Sequence, residues 1–158
     1  AGADGLSLVN TLRGLALDER TLRPTLGRGA GGYSGPALKP VALACVYACA
    51  AAVDLPIVGM GGVRSGLDAL ELIAAGASIV GVGTVLFSDP GAAGRIRSEL
   101  AAEAAARGLP DALDGCGLAH SSLQMNDSRF GNGAGKGLES AQNLSLDRDG
   151  QDVSIPRS

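Results

Sequence analysis

Histidine occurs once in this 158-residue sequence, tryptophan not at all, and aromatic residues make up only 3%. The single histidine, His120, has no sequence neighbour that suggests a catalytic triad or a ligand set, so it reads as incidental. The three cysteines supply no disulfide framework. Cys45 and Cys49 lie four apart among alanine and valine, and no second pair completes a metal site. They read as small buried hydrophobes, whereas Cys116, in a Gly-Cys-Gly turn, reads as an exposed thiol. No apolar run approaches the ~20 residues of a membrane span. A net charge of -3 and a pI of about 5.0 leave no basic footprint for nucleic acid. The opening Ala1-Gly2-Ala3-Asp4 carries no charged, apolar leader, so no secretory signal is expected. Together with the unpaired cysteines, these features point to a reducing, cytoplasmic location.

Hydrophobic residues at 46% are ample for a core and exclude a wholly disordered chain. The 25 glycines are roughly twice average usage. Composition changes sharply near Leu118. Before it, apolar runs alternate with Gly/Pro punctuation. After it, single hydrophobics are scattered through polar sequence with no period of 2 or 3.6. The expected organisation is a folded domain over 1–118 and a polar, glycine-rich, disordered tail over 119–158.

Within the domain, three short apolar runs read as buried parallel strands: Gly5 to Asn10, Leu55 to Met60 and Ser78 to Gly83. Three helices alternate with them. Pro36 suits the first turn of one running to about Val53, with Val41, Ala44, Cys45, Ala48 and Ala52 on its apolar side. A second covers about Gly66 to Ala75, with Leu67, Leu70, Ile73 and Ala74 inward and Asp68 and Glu71 outward. The third starts at the cap-then-proline signal Ser88-Asp89-Pro90 and stops before Gly108 and Pro110. Alternation of this kind means an α/β fold with a parallel sheet. One connection, Thr11 to Gly35, is far longer than the usual 2–6 residues. Inside it, Leu15 to Asp18 and Arg23 to Leu26 flank a polar turn and suggest a small hairpin, followed by a glycine-rich loop. Long ordered loops at the carboxyl ends of parallel strands are where such proteins keep their sites.

Three glycine clusters stand at strand ends: Gly31-Gly-Tyr-Ser-Gly35, Gly59-Met-Gly-Gly62 and Gly81-Val-Gly-Thr84. Either glycine merely permits tight turns there, or bare backbone N–H groups surround a phosphate. Two clusters in adjacent units favour the phosphate. No Gly-x-Gly-x-x-Gly follows the first strand, which argues against a conventional NAD site. Asn10-Thr11 could read a polar planar ligand or simply form a cap and turn; the residues alone leave both open. Lys39, in the first turn of its helix, reads as a solvated surface lysine rather than a ligand contact. No nucleophile–base pair and no metal site emerge.

These motifs, in this order and spacing, resemble the carboxyl-terminal half of dihydroorotate dehydrogenase. They are Ala1-Gly-Ala-Asp-Gly-Leu with Asn10-Thr-Leu12, Gly31-Gly-Tyr-Ser-Gly-Pro-Ala-Leu-Lys-Pro40, Pro56-Ile-Val-Gly-Met-Gly-Gly62, Ala75-Gly-Ala77 and Val82-Gly-Thr84. The class 1B catalytic subunit fits best, over about residues 1 to 110. The resemblance implies the carboxyl-terminal part of a (β/α)8 TIM barrel, about three β/α units, that binds FMN and oxidises dihydroorotate to orotate in pyrimidine biosynthesis. It implies Val9 against the flavin, Asn10 and Thr11 on the substrate ring, Gly35 at FMN, and Gly61, Gly62, Gly83 and Thr84 at its phosphate. It also implies a homo-oligomeric full subunit and an electron-transfer partner carrying FAD and an iron–sulfur cluster.

In the family, the cysteine base and part of the substrate site come from the first half of the barrel, and Cys45, Cys49 and Cys116 do not match its motif. No catalytic residue is therefore expected in this chain. Three strands of eight leave sheet edges unpaired, so the chain is expected not to fold stably alone and not to turn over. Two other readings compete: a non-catalytic flavin- or phosphate-binding half barrel, and a related flavin enzyme acting on pyrimidines. A truncated product without function is a third.

Overall fold

The computed structural model describes residues 2–121; the expected tail lies outside the described residues from 122 onward. In chain order the elements are β1 (Leu6–Leu8), β2 (Leu12–Leu15), β3 (Ala30–Tyr33), α1 (Lys39–Ala52), β4 (Ile57–Met60), α2 (Gly66–Ala74), β5 (Ile79–Gly81) and α3 (Ala92–Ala106). Short 3-10 turns occupy Pro36–Leu38, Thr84–Phe87 and Ala112–Gly115. Three strands form a parallel sheet in the order β1-β4-β5, with Leu6 opposite Ile57, Leu8 opposite Gly59, and Met60 opposite Gly81. This is the expected α/β alternation. It brings the carboxyl ends of all three strands to one side.

Helix α2 shows why the sequence folds this way. Ser65 caps it by accepting from the Asp68 N–H, while the Asp68 carboxylate accepts from the Ser65 N–H, a reciprocal capping box. Ala69, Leu70, Leu72 and Ile73 then turn inward. The helix ends where Gly76, at φ 117°, adopts a backbone conformation that an L side chain resists.

The core is built from small and branched residues, including Ala42, Val46, Ile57, Leu72, Ala77 and Ile96. Small residues let the layers approach closely. A Cβ on Gly59 of the central strand would stand 2.8 Å from the Ala77 Cβ. A Cβ on Gly66 would run into the Glu99–Leu100 backbone of α3.

Several expectations need correction. The buried side of α1 is Ala42 and Val46, with Leu43, Tyr47, Cys49 and Ala50 packed beside it. Val41, Ala44, Ala48 and Ala52 face outward instead. An alanine-rich helix has little amphipathic contrast, so several faces look alike in sequence. In α2, Asp68 is buried, not outward, and Leu67 is 39% exposed. The hairpin is longer than expected. Its ladder pairs β2 with β3 antiparallel, so the glycine-rich segment supplies the return strand. The inner bridge Leu17–Pro24 does enclose the anticipated polar turn, where Asp18 accepts from the Thr21 N–H at 2.7 Å. Helix α3 starts later than its signal, at Ala92, because Asp89 closes a turn on the Gly91 N–H. His120 is not incidental. Its ring stacks on Tyr47 at 4.0 Å, and its Nε2 donates to the Ala75 carbonyl at 3.1 Å, fastening the end of the described chain to α1 and α2.

The Gly66 contact is with backbone, which cannot swing aside as a side chain can. Gly66→Ala is expected to destabilise the chain by about 1–3 kcal/mol, more than helix propensity would return. Chemical denaturation of the two proteins checks this; equal or greater stability of the variant would refute the close α2–α3 packing.

Candidate functional site

Where the strands end, one cleft of about 570 Å³ opens. Its walls come from the segment after β1 (Val9, Asn10, Thr11), the turn after β3 (Ser34, Gly35), the loop after β4 (Met60 to Val63) and the loop after β5 (Gly81 to Thr84). All eight residues singled out from the sequence, Val9, Asn10, Thr11, Gly35, Gly61, Gly62, Gly83 and Thr84, line this cleft. Ser34, Met60, Gly81 and Val82, which belong to the glycine clusters but were given no role of their own, also line it, as do Ser7, Leu38 and Val63, which were not anticipated. The alternation of strand residues between faces would have pointed to Ser7 and Met60; nothing in the sequence marks Ser34 out.

The polar end is set by local hydrogen bonds. The Val9 N–H donates to the Met60 carbonyl at 2.9 Å, which extends the β1–β4 pairing to the mouth of the cleft. The Asn10 Oδ1 accepts from the Thr11 N–H at 2.7 Å. With its oxygen engaged, the Asn10 amide keeps two N–H donors for a ligand. The Thr11 side chain sits directly over Gly32, where any Cβ would collide with its hydroxyl. The hairpin strand β3 is thus shaped to seat Thr11.

At the other end, the loop after β4 divides its backbone donors. The Arg64 and Ser65 N–H groups both donate to Asp68 Oδ2, at 2.9 and 3.0 Å, and the Gly66 N–H donates to Glu99 Oε2 at 2.8 Å. Among the described residues, no hydrogen bond takes up the N–H of Gly62, Val63 or Thr84. A second hollow of about 190 Å³ lies there, lined by Gly62, Val63, Arg64, Thr84, Val85 and Ser88, with Gly35 and Pro36 across from them. Free N–H groups and the Thr84 hydroxyl beside a small concavity suit an anion, whereas the Ser88 hydroxyl is taken by the Val85 carbonyl.

The glycines here do two different jobs. Gly61 (φ 130°) and Gly62 (φ 76°) are required by the protein itself, since a Cβ on Gly62 would stand 2.8 Å from the Lys39 N. For these two, the turn reading accounts for glycine without any ligand. A Cβ on Gly83 would meet nothing within 4 Å. Bareness at that position leaves room on the cleft side.

An ion cluster holds the anion loop. Lys39 Nζ donates to Asp68 Oδ1 and to Glu71 Oε2, each at 2.7 Å. The expectation of a solvated Lys39 is therefore wrong; the two carboxylates on α2 are placed to receive it. Their hydrogen bonds raise the Lys39 ammonium above its ordinary value, Asp68 contributing most. Burial alone would raise the Asp68 carboxyl, but the bonds from Lys39, the Arg64 N–H and Ser65 outweigh it and hold the group below the usual aspartate range. Behind this cluster, Arg95 Nη1 donates to the Arg64 carbonyl at 3.2 Å and to Glu99 at 2.7 Å, while its other nitrogens grip Asp89. The cysteines lie apart from the cleft. Cys45 and Cys49 are half-buried on α1, and Cys116 is exposed with Pro56, Ser78 and His120 at the opposite ends of the strands.

Comparison with known proteins gives a consistent picture. The family profile described as dihydroorotate dehydrogenase matches residues 1–103. The catalytic subunit of dihydroorotate dehydrogenase B (NAD(+)) from Geobacter sulfurreducens is 52% identical over 111 residues, covering 70% of this chain and 36% of that protein. A putative dihydroorotate dehydrogenase A (fumarate) from Solibacter usitatus is 53% identical, covering 72% and 38%. A crystal structure of DHODH from Eimeria tenella in complex with ferulenol superposes with a TM-score of 0.62 at 34% identity, over 74% of this chain and 31% of that one. The chain thus spans about a third of the length of the relatives it matches.

The Lys39–Asp68 pair predicts a definite pH dependence. As pH falls below the ordinary aspartate value of 3.8, the unfolded chain takes up a proton that the folded Asp68 resists, so stability is lost on the acid side. Lys39 contributes fully below 10.5, and its share is lost only as pH rises through its raised folded value. Between these limits the pair adds a flat term. Asp68→Asn is expected to cost about 1–3 kcal/mol at neutral pH and to flatten the acid arm of stability against pH. An unchanged acid arm in the variant would show that the pair does not act this way.

Proposed function

The chain belongs to the dihydroorotate dehydrogenase family, a family of oxidoreductases, and on that premise we propose that it is part of the catalytic subunit oxidising dihydroorotate to orotate in pyrimidine biosynthesis. The three β/α units are read as the carboxyl-terminal part of a (β/α)8 barrel, with FMN as cofactor. The observation that carries this reading is the cleft itself: the eight residues that the family resemblance names surround one cavity with a polar end and a separate anion hollow.

The residues present fit such a group. Unengaged N–H donors at Gly62, Val63 and Thr84 suit its phosphate, and the open space beside Gly83 leaves room for its close approach. Gly35 lines both cavities and would border the span between ring and phosphate. Val9 would pack against the ring. Bound there, FMN would supply the two-electron acceptor for the substrate. Asn10 and Thr11 then act on the substrate, Asn10 donating through its amide N–H groups and Thr11 offering a hydroxyl, so that the ring is oriented by hydrogen bonds that its polar edge can return. Among the described residues the cleft lining holds hydroxyls but no carboxylate, lysine, histidine or cysteine to take the substrate proton. Turnover by this chain alone is not expected; the proton would pass to a group beyond the described residues.

The full subunit is read as a cytoplasmic homo-oligomer. Its electrons would pass to a partner subunit carrying FAD and an iron–sulfur cluster, in keeping with the naming of the NAD(+)-dependent relatives. The anion hollow, lined wholly by residues of these three units, also suits a second reading, a flavin- or phosphate-binding half barrel without redox chemistry. Orotate separates the two, since only the enzyme reading requires Asn10 and Thr11 to bind a pyrimidine.

Against the expectation that three barrel units do not fold alone, the buried core described above should let the purified chain bind added FMN and quench its fluorescence. Gly83→Ala should weaken that binding about tenfold, a loss of roughly 1.4 kcal/mol, while leaving thermal stability unchanged. Orotate should then bind the FMN-loaded wild type and fail to bind Asn10→Ala. Fluorescence that stays constant across the titration would reject the cofactor reading for this chain.

A further inference from the structure

One charged group outside the lining of the cleft carries two carboxylates on its ammonium. Lys39 opens α1, and its ammonium has no assigned role in binding cofactor or substrate. A cation in the first turn of a helix opposes the helix dipole, so something must offset that cost. What offsets it is the pair of carboxylates on α2, and the larger consequence lies in what one of them holds. Asp68 gives one carboxylate oxygen to Lys39 Nζ and the other to the Arg64 and Ser65 N–H groups. Those two N–H groups follow Gly62 and Val63, whose own N–H groups are the unengaged donors of the anion hollow. The Lys39 backbone also touches the loop, because the Lys39 N stands where a Gly62 Cβ would project.

We infer that Lys39 is a positioning residue for the anion loop: by fixing Asp68 it fixes which N–H groups turn down to the protein and which stay free for a phosphate. The protein and the anion compete for the same row of donors. Gly62, Val63, Arg64 and Ser65 present four consecutive backbone N–H groups. Asp68, anchored at 2.7 Å by Lys39 and capping its own helix, takes the last two. Released from Lys39, the carboxylate loses the partner that defines its rotamer, while its burial persists. A buried carboxylate without its cation recruits other donors, and the nearest are the N–H groups of this loop. The anion hollow would then lose donors to the protein. Glu71, the second partner of Lys39, is 40% exposed at its side chain and steadies the ammonium without touching the loop.

The role given to Lys39 rests on the proposed cofactor reading for its ligand, but one experiment separates the two. The full chain is prepared as wild type, Lys39→Gln, Lys39→Arg and Glu71→Gln. FMN and riboflavin are each titrated by flavin fluorescence, and backbone amide exchange is followed at Arg64 and Ser65. In Lys39→Gln, FMN affinity should fall about tenfold with riboflavin affinity unchanged, because only FMN carries the phosphate. Exchange at Arg64 and Ser65 should quicken while that of β4 does not. Lys39→Arg should restore both, and Glu71→Gln should alter neither by more than about twofold, as expected of an exposed pair. A parallel fall for FMN and riboflavin would mean a general structural role and would overturn the inference. So would unchanged exchange at Arg64 and Ser65. Wild type that binds neither flavin would reject the cofactor reading alone, since the exchange measurements still decide whether Lys39 sets the loop.

Discussion

A carboxylate buried where a helix begins must find donors, and in this chain that requirement organises everything at the carboxyl ends of the strands. Asp68 meets it with two backbone N–H groups and one ammonium. Because the ammonium comes from the start of α1 and the N–H groups from the loop after β4, one side chain ties two β/α units together. Arg95 repeats the arrangement from the third unit. It reaches back to the Arg64 carbonyl while Glu99 receives the Gly66 N–H. The loop after β4 is therefore held at three consecutive residues by charged groups from two helices, Asp68 of α2 and Arg95 with Glu99 of α3, while Lys39 of α1 braces Asp68. What it leaves unheld, Gly62 and Val63, faces the cavity. A hydrogen-bonded frame of this kind is strong where its members are all satisfied, and no buried side-chain polar atom among the described residues lacks a partner.

Packing and binding make separate demands on the same residue type. Gly59, Gly62 and Gly66 are fixed by neighbours within the protein, and the glycine at each would be needed with no ligand at all. Gly83 answers to no neighbour, so its bareness is free to serve the cavity. The surplus of glycine is thus partly an architectural consequence of alanine-rich helices lying close to a short-stranded sheet. Close approach carries the strand ends, and the loops that follow them, into one small region.

The alternation of strands and helices was legible in the sequence, because near-continuous apolar runs bounded by glycine suit strands covered on both faces. The glycine clusters at strand ends were legible as well, but the family resemblance, not spacing, gathered Asn10, Gly35, Gly62 and Thr84 into one site. Which face of α1 is inward was not. Val41 and Ala44 are as apolar as Ala42 and Val46, and only the position of β4 and α2 decides between them. Nor was Lys39–Asp68 legible, a pairing 29 residues apart. A capping aspartate that also accepts a distant ammonium looks, in sequence, like any polar residue on an outer face. His120 was missed for the same reason: its partners, Tyr47 and the Ala75 carbonyl, are remote in the chain. Local patterns specify elements, whereas the second bond a polar group makes is a tertiary fact.

The same contrast bears on how activity is divided along the polypeptide. Holding an anion requires backbone N–H groups aimed by a rigid frame, and that frame closes within residues 39–99 without outside help. Orienting a planar ring needs one or two side chains at a strand end, which Asn10 and Thr11 can supply. Removing a proton needs a group of matched basicity within reach of one carbon, and among the described residues the cleft lining has no carboxylate, lysine, histidine or cysteine. Binding functions are local enough to be carried by adjacent β/α units, but proton transfer across a barrel mouth joins residues from strands far apart in order. On the proposed reading, this chain holds the part of a site that fixes where the cofactor and substrate lie, and leaves the part that makes them react to other strands.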